Sequence, residues 1–418
     1  MSNFRRNILL TLTAASLIFA GCRRNFSHDN PIPDSYYPSI VLSSDNRVVY
    51  AIDPGTGKKN WEYSLPVSIV PTPVEFAPSP LIYNDRVYMA SVNSDTIYKL
   101  NAKTGALVAK LVTNPYFNFT MQSTPIADGN LLYLATTNGT IYAIDTGTGA
   151  VKWQFSSPTD LTPYIASPVI YKKNIFVAST GGHVYCIDKV NGPDAITGYP
   201  IWDYPGWGLT DTASFISSPA ISYPYLYVGS AIDSNMYCMY VDPWPDPVTP
   251  VVPTSGILHW KYKTLGNIKS SPSAYAGICI FGSNDFNVYA VDSQLGILRW
   301  NHPFRTNSQI NSTPFVNNGI IYIGSYDYNL YAINIIDGSK KWNFATKGLI
   351  KSSPLPYKGN IYVGSYDGSM YVVDSAFGVQ KWYFKINGNI QCSPAIDDYS
   401  GIQINSGISG YNTGGNNN

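Results

Sequence analysis

The side chains able to do chemistry are few in this 418-residue chain, and their spacing builds no reactive set. The four histidines are His28, His183, His259 and His302. None stands at a spacing that pairs it with a serine or cysteine nucleophile. Of the five cysteines, Cys22 lies near the N-terminus, and Cys186, Cys238, Cys279 and Cys392 sit inside apolar, strand-like runs. No CxxC and no Cys/His cluster offers a zinc site. The only glutamates are Glu62 and Glu75. Hard cations need several oxygen ligands, usually including carboxylates, so this is thin material for one. No P-loop or GxGxxG is present, and Thr56-Gly57-Lys58 reads as a repeat turn, not as a phosphate cradle.

The charge balance points the same way. Lys and Arg number 27 against 26 Asp and Glu, a net of +1, and charged residues make up only 13%. That argues against a nucleic-acid binder driven by a basic field, and against an acidic disordered tail. The chain is 44% hydrophobic, enough for a large core, with 34 Tyr, 34 Gly and 30 Pro. Tyr favours strands, while Gly and Pro punctuate them, so many short strands and turns are expected.

Residues 1–21 read as a signal peptide. Arg5 and Arg6 precede the short apolar run Ile8 to Ala20, and Phe19-Ala20-Gly21-Cys22 has the small residues before cysteine of a lipobox. Phe19 stands where Leu is commoner. Cleavage before Cys22 and lipidation of that residue would hold the chain at a membrane surface. The alternative is an ordinary secretory signal followed by a chance cysteine. Residues 22–38 are polar and Pro-rich, as a flexible tether should be.

What positions everything else is a repeat. An anchor tyrosine recurs as Tyr50, Tyr98, Tyr142, Tyr185, Tyr237, Tyr289, Tyr331 and Tyr371. In seven of the eight units Asp or Asn follows three residues on, from Asp53 to Asp374, and Gly four beyond that, from Gly57 to Gly378. A tryptophan then closes the unit: Trp61, Trp153, Trp300, Trp342 and Trp382 at one offset, and Trp202 and Trp260 after insertions; Ala109 takes the place in the second unit. The Asp-to-Gly stretch is a turn in which Asp caps its own backbone and Gly supplies a positive φ. Each unit thus reads as a four-stranded antiparallel meander of about 40 residues. Such sheets must stack face to face, and radial stacking closes into a propeller with the indoles as wedges between sheets. A Ser/Thr-Pro pair, from Ser79-Pro80 to Ser393-Pro394, belongs on the inner edge strand, because Pro cannot donate inside a sheet. The first unit lacks this element and the eighth copy follows the last Trp. The C-terminal strand is therefore expected to complete the N-terminal sheet. Residues 39–400 form the propeller in this reading, and 401–418 a loose Gly- and Asn-rich tail.

Cys186 and Cys238 follow anchor tyrosines at sites where other units carry Ala, and read as small buried hydrophobes. Equivalent sites on stacked sheets lie about 10 Å apart, whereas bridged Cα atoms need roughly 4.4–6.8 Å, which argues against a disulfide between them.

Ala51-Ile-Asp53-Pro-Gly-Thr-Gly57-Lys58-Lys-Asn-Trp61, with its copy at 143–153, resembles the tryptophan-docking motif of pyrroloquinoline-quinone-type propellers. The resemblance covers about residues 39–400 and implies an all-β, eight-bladed β-propeller. The family has a dehydrogenase branch that oxidises alcohols or sugars, and a non-catalytic, BamB-like lipoprotein branch that serves outer-membrane β-barrel assembly. The dehydrogenase branch implies a Glu and an Asn on calcium, an Asp base, and often two adjacent cysteines. Glu62 follows a repeat tryptophan, Glu75 lies in a Pro-rich loop, and no two cysteines adjoin. The expectation is accordingly a scaffold without catalytic residue, metal or cofactor. It would be monomeric, lipid-anchored through Cys22 at the outer membrane of a bacterial envelope, and bound to an envelope protein but not to nucleic acid.

Two insertions carry the spare tryptophans. One runs from Asn191 to Tyr204 and on to Trp207, the other from Asp242 through Trp244 to Pro253; both are expected on the same rim. They are either recognition elements, since stiff loops with aromatic anchors lose little entropy on binding, or covers for neighbouring surface. A quinone-dependent dehydrogenase and a surface carbohydrate-binding lipoprotein, using Trp207 and Trp244, are the two alternative readings.

Overall fold

A computed structural model describes residues 38–65, 78–90, 96–112, 121–194, 200–205, 212–242, 256–397 and 403–405. They form eight antiparallel sheets, and no helix occurs among them. We number the blades by their anchor tyrosines, so blade 1 holds Tyr50 and blade 8 holds Tyr371. Blade 8 shows the pattern: Leu355–Tyr357 is innermost, then Asn360–Gly364, Ser369–Asp374 and the outermost Gln380–Lys385.

Burial explains the sequence pattern of each strand. The second strands are covered by neighbouring blades on both faces and carry near-continuous apolar runs, as at 175–178 in Asn174–Ala178 and throughout Ile278–Gly282. The outermost strands alternate, with Trp153 and Phe155 inward and Lys152 and Gln154 outward in Val151–Ser156. The cores therefore lie between blades. One cluster joins Ile40, Leu42 and Tyr50 of blade 1 to Tyr362, Met370 and Val372 of blade 8.

The repeat turn forms as its residues require. Asp53 Oδ1 accepts from the backbone N–H of Gly55 and Thr56, and Asp145 repeats this with Gly147 and Thr148. Gly57 sits at φ 73° and Gly149 at 77°, in the region a side chain disfavours. The residue opposite most of the paired tryptophans is Ala or Cys, as in the pairs Ala51 with Trp61 and Cys186 with Trp202, while Val372 faces Trp382. In blade 6 the outermost strand is reduced to Phe304–Arg305, and Trp300 lies outside it.

The ring closes where the chain ends meet. Ala395–Asp397 pairs antiparallel with Ser39–Ser43, with Ile396 opposite Ile40. A fifth strand, Gln403–Asn405, then adds to the inner edge of the same sheet. The sequence reads this stretch as a loose tail, but an inner edge facing an axial channel still has unpaired backbone groups to satisfy. Cys186, Cys238, Cys279 and Cys392 are buried and unbridged. Cys392 precedes its strand instead of lying in it.

Each blade leaves its turns on two rims. The lower rim carries the Asp/Asn-to-Gly turns, and Ser39–Ser43 starts on that side, since Ile40 pairs with Ile52 at the head of the first such turn. The upper rim carries the turns between second and third strands and the connections between blades.

Candidate functional site

Two sets of repeated side chains organise the molecule, one at the periphery and one on the axis. At the periphery each indole lies on the lower-rim turn of the following blade. A Cβ at Gly105 would stand 2.6 Å from Trp61, at Gly192 2.7 Å from Trp153, at Gly296 2.7 Å from Trp260, at Gly338 2.7 Å from Trp300 and at Gly378 2.7 Å from Trp342. Only glycine lets the ring approach the turn this closely. Nε1 then donates to a backbone carbonyl of the turn: Ala102 for Trp61, Lys189 for Trp153, Ser293 for Trp260 and Ile335 for Trp300, at 2.8–3.1 Å. Trp202 reaches past an insertion to Gly256 and donates to Val241. Where Ala109 replaces the indole, Leu111 fills the space, 3.3 Å from where a Cβ at Gly149 would stand.

On the axis the Ser/Thr-Pro elements form a second ring. They sit immediately before the innermost strands, so Pro occupies no ladder position. In seven of the eight elements the backbone N–H of the Ser or Thr donates to the hydroxyl of the next blade's copy. Ser79 donates to Thr124, Thr124 to Ser167, Ser167 to Ser218 and Ser218 to Ser271. Thr313 donates to Ser353, Ser353 to Ser393 and Ser393 back to Ser79, all at 2.9–3.1 Å. The hydroxyls thus satisfy the neighbouring blade's backbone. They line a cavity of about 110 Å³ together with Gln122, Ile165, Ile216, Lys269, Asn311, Lys351 and Gln391.

A third repeated element has no counterpart in the sequence reading. On the upper rim Asp233, Asp285, Asp327 and Asp367 each accept a hydrogen bond from the anchor tyrosine four residues on, at 2.5–2.8 Å. Asp285, Asp327 and Asp367 also accept a backbone N–H from the connection that leaves the outermost strand of the preceding blade, as Asp367 does from Lys347. Burial raises the Asp367 carboxyl, but these bonds outweigh it and hold it below its ordinary value. The signal was legible as Asp four residues before Tyr in four units. In blade 4 the place is taken by Asp160, which accepts from Ser179 and Tyr185 at 2.5 and 3.0 Å. Nearby, His183 Nδ1 stands 3.9 Å from Asp203 Oδ2, both side chains buried. Burial pushes the Asp203 carboxyl up to about 6.

The spare tryptophans and Cys22 lie outside the described residues. The expectation that the two insertions share a rim therefore also falls on residues outside the described ones.

Calcium and a quinone, the groups of the dehydrogenase branch, find a poor fit. Among the described residues the axial cavity offers hydroxyls, amides and two lysines but no carboxylate. No cluster of three His, Cys, Asp or Glu that could hold a metal occurs among them either. Glu62 is on the outermost strand of blade 1, paired with Lys59 at 2.8 Å.

Comparison with known proteins matches this geometry. The family model described as "Outer membrane protein assembly factor BamB" matches residues 36–242 and 308–396. The BamB of Salmonella typhimurium is 21% identical over 211 residues, 50% of this chain and 49% of that protein. The chain thus spans about half the length of this curated relative. Among solved structures, BamB from Moraxella catarrhalis has a TM-score of 0.58 at 15% identity, covering 76% of this chain and 91% of that one. A europium-containing methanol dehydrogenase has a TM-score of 0.57 at 13% identity, covering 78% and 83%. At these identities the solved structures establish the fold alone. A closed ring of eight tryptophan-docked sheets, matched over most of its length by that family model, places the chain in the BamB family of pyrroloquinoline-quinone-like propellers.

Proposed function

We propose that this chain is a non-catalytic scaffold of the bacterial envelope, holding a protein partner in outer-membrane protein assembly. The observation that carries this is an apolar run along the lower rim. Leu295, Ile336 and Phe377 are 63%, 82% and 77% exposed on the turns of three consecutive blades, beside Ile297 and Val379. Exposed apolar side chains gathered along one rim mark an interaction surface, and the docked turns beneath them are rigid, so little entropy is lost on binding. The family match supports the class of partner.

Anchoring through Cys22 is part of the proposal. The first described strand, Ser39–Ser43, starts on the rim that carries the apolar run. The absence of any carboxylate from the described lining of the axial cavity weighs against a quinone-dependent dehydrogenase.

The test is crosslinking in intact envelopes followed by affinity capture of the tagged chain. Recovery of a β-barrel assembly component, lost when Ile336 and Phe377 are both changed to Ser, is the expected result. Recovery of no such component, or recovery indifferent to both substitutions, would overturn the reading. Cys22→Ser is the localisation control and should release the protein from membranes.

A further inference from the structure

The axial cavity has two kinds of wall. Gln122, Asn311 and Gln391 line it from blades 3, 7 and 1, whereas Ile165 and Ile216 line it from the adjacent blades 4 and 5. Gln391 and Ile216 come from blades half a turn apart, so an amide faces a patch of carbon across the axis. The cavity measures about 110 Å³. A single water needs on the order of 10–15 Å³ of such space, so a small organic molecule fits where several waters would.

The amides are not fully used within the protein. Asn311 Nδ2 donates to the Tyr326 hydroxyl at 2.8 Å, but Asn311 Oδ1 and Gln391 Oε1 are buried and accept no hydrogen bond. A buried acceptor left unpaired costs free energy, and native proteins keep few of them. The hydroxyl ring has the opposite surplus. A hydroxyl has one proton and two lone pairs. Ser79, Thr124, Ser167, Ser271 and Ser393 each give one lone pair to the neighbouring blade's backbone N–H and keep their own proton to donate.

The wall therefore calls for a group that both donates and accepts. An anion would meet the lone pairs of the two amide oxygens, and a cation would meet the hydroxyl protons. A neutral carboxamide meets neither obstacle, because it carries two N–H donors and a carbonyl on one planar group. It can also pair with another amide through two bonds, one in each direction, as Gln391 is equipped to do. Lys269 and Lys351 share the lining but have interactions of their own, and no part in holding the ligand is assigned to them.

We propose that the axial cavity binds a small uncharged molecule bearing a primary carboxamide. Its N–H groups donate to Gln391 Oε1 and Asn311 Oδ1, its carbonyl accepts from hydroxyls of the ring, and its carbon chain packs on Ile165 and Ile216. The site goes beyond the partner surface on the lower rim and does not depend on it.

The experiment is titration calorimetry of the full chain with butyramide, and with butyrate and butyramidinium as its negatively and positively charged isosteres. Saturable binding of butyramide is expected, the same at low and high ionic strength, with both charged isosteres weaker by about tenfold or more. Gln391→Met keeps the length of the side chain, removes the amide and should weaken butyramide by about tenfold or more. Adding Asn311→Leu should abolish binding. Gln154→Met, on the outermost strand of blade 3, should leave affinity unchanged. Gln391 Oε1 bonds to nothing in the protein, so Gln391→Met should melt no lower than the parent. If the double variant folds poorly, the single variant decides: butyramide should raise the melting temperature of the parent but not of Gln391→Met. No saturable binding of butyramide, a charged isostere binding as well as the amide, or binding indifferent to Gln391→Met would overturn the proposal.

Discussion

The indole of Trp382 in blade 8 lies against Gly57 in blade 1, so close that a Cβ at Gly57 would stand 2.8 Å from its ring. The last tryptophan of the repeat thus docks on its first glycine. Gly57 combines this contact with φ 73°, whereas Gly129 has φ 57° and nothing within 4 Å of its would-be Cβ. Gly57→Ala is expected to cost about 2–4 kcal/mol, strain and overlap together, and Gly129→Ala about 1 kcal/mol from strain alone. Urea unfolding of the two variants checks this; equal losses would remove the docking contact as the cause.

Cys392 closes the ring from the inside. Its Sγ accepts from the backbone N–H of Ser43 at 3.1 Å and donates to the Ser43 carbonyl at 2.8 Å. Blades 5 to 8 carry Ser217, Ser270, Ser312 and Ser352 at this place, each accepting a backbone N–H from the second strand of its own blade. Cys392→Ser should be nearly neutral, while Cys392→Val strands a buried N–H and should cost about 1–3 kcal/mol. Chemical denaturation of both variants separates a hydrogen-bonding role from simple packing, which would favour Val.

The upper-rim aspartates should make the propeller sensitive to acid. Asp233 and Asp367 are held below their ordinary values, with burial opposing and hydrogen bonds prevailing. A depressed folded value means stability that is present above the unfolded pKa of about 3.9 and is lost as pH falls below it. Tyr371→Phe should lower stability at pH 7 by about 1 kcal/mol. It should also reduce the loss seen between pH 4 and pH 2, measured by denaturation at several pH values. An unchanged pH profile would refute the coupling of Tyr371 to Asp367.

Asp203 acts in the opposite sense. Its carboxyl is raised to about 6 by burial, above the model-compound value of 3.8. On raising the pH the unfolded chain ionises first, so stability should fall between about pH 4 and pH 6 and then level off. Asp203→Asn, next to buried His183, should remove that fall and stabilise the protein at pH 8 by about 2–3 kcal/mol. A destabilised Asn variant at pH 8 would instead show that the charge has a compensating partner.

How far the sequence could be read depends on whether a residue's role is local. The anchor tyrosines, the Asp-to-Gly turns and the tryptophans recur at fixed offsets, and turn chemistry needs no distant partner. The blade count and the closing strand followed from them, and the sheets show both. The hydroxyl ring was visible as Ser/Thr-Pro, but its bonding was not, because each hydroxyl serves a blade some 40 or more residues away. The upper-rim aspartates were passed over, since Asp is common in this chain and its partner tyrosine already had a role.

The amino-acid sequence by itself determined the repeat unit, its strands and turns, and the closure of eight units into a ring. Those follow from apolar periodicity, glycine's backbone freedom and the width of an indole. The tertiary structure alone decided the gathering of Ser/Thr hydroxyls from all eight blades around one axial cavity, the bonds from the upper-rim aspartates to the preceding blade, and the strand at 403–405. Each of these depends on blades being brought around an axis, and neighbours across that axis leave no spacing in the chain.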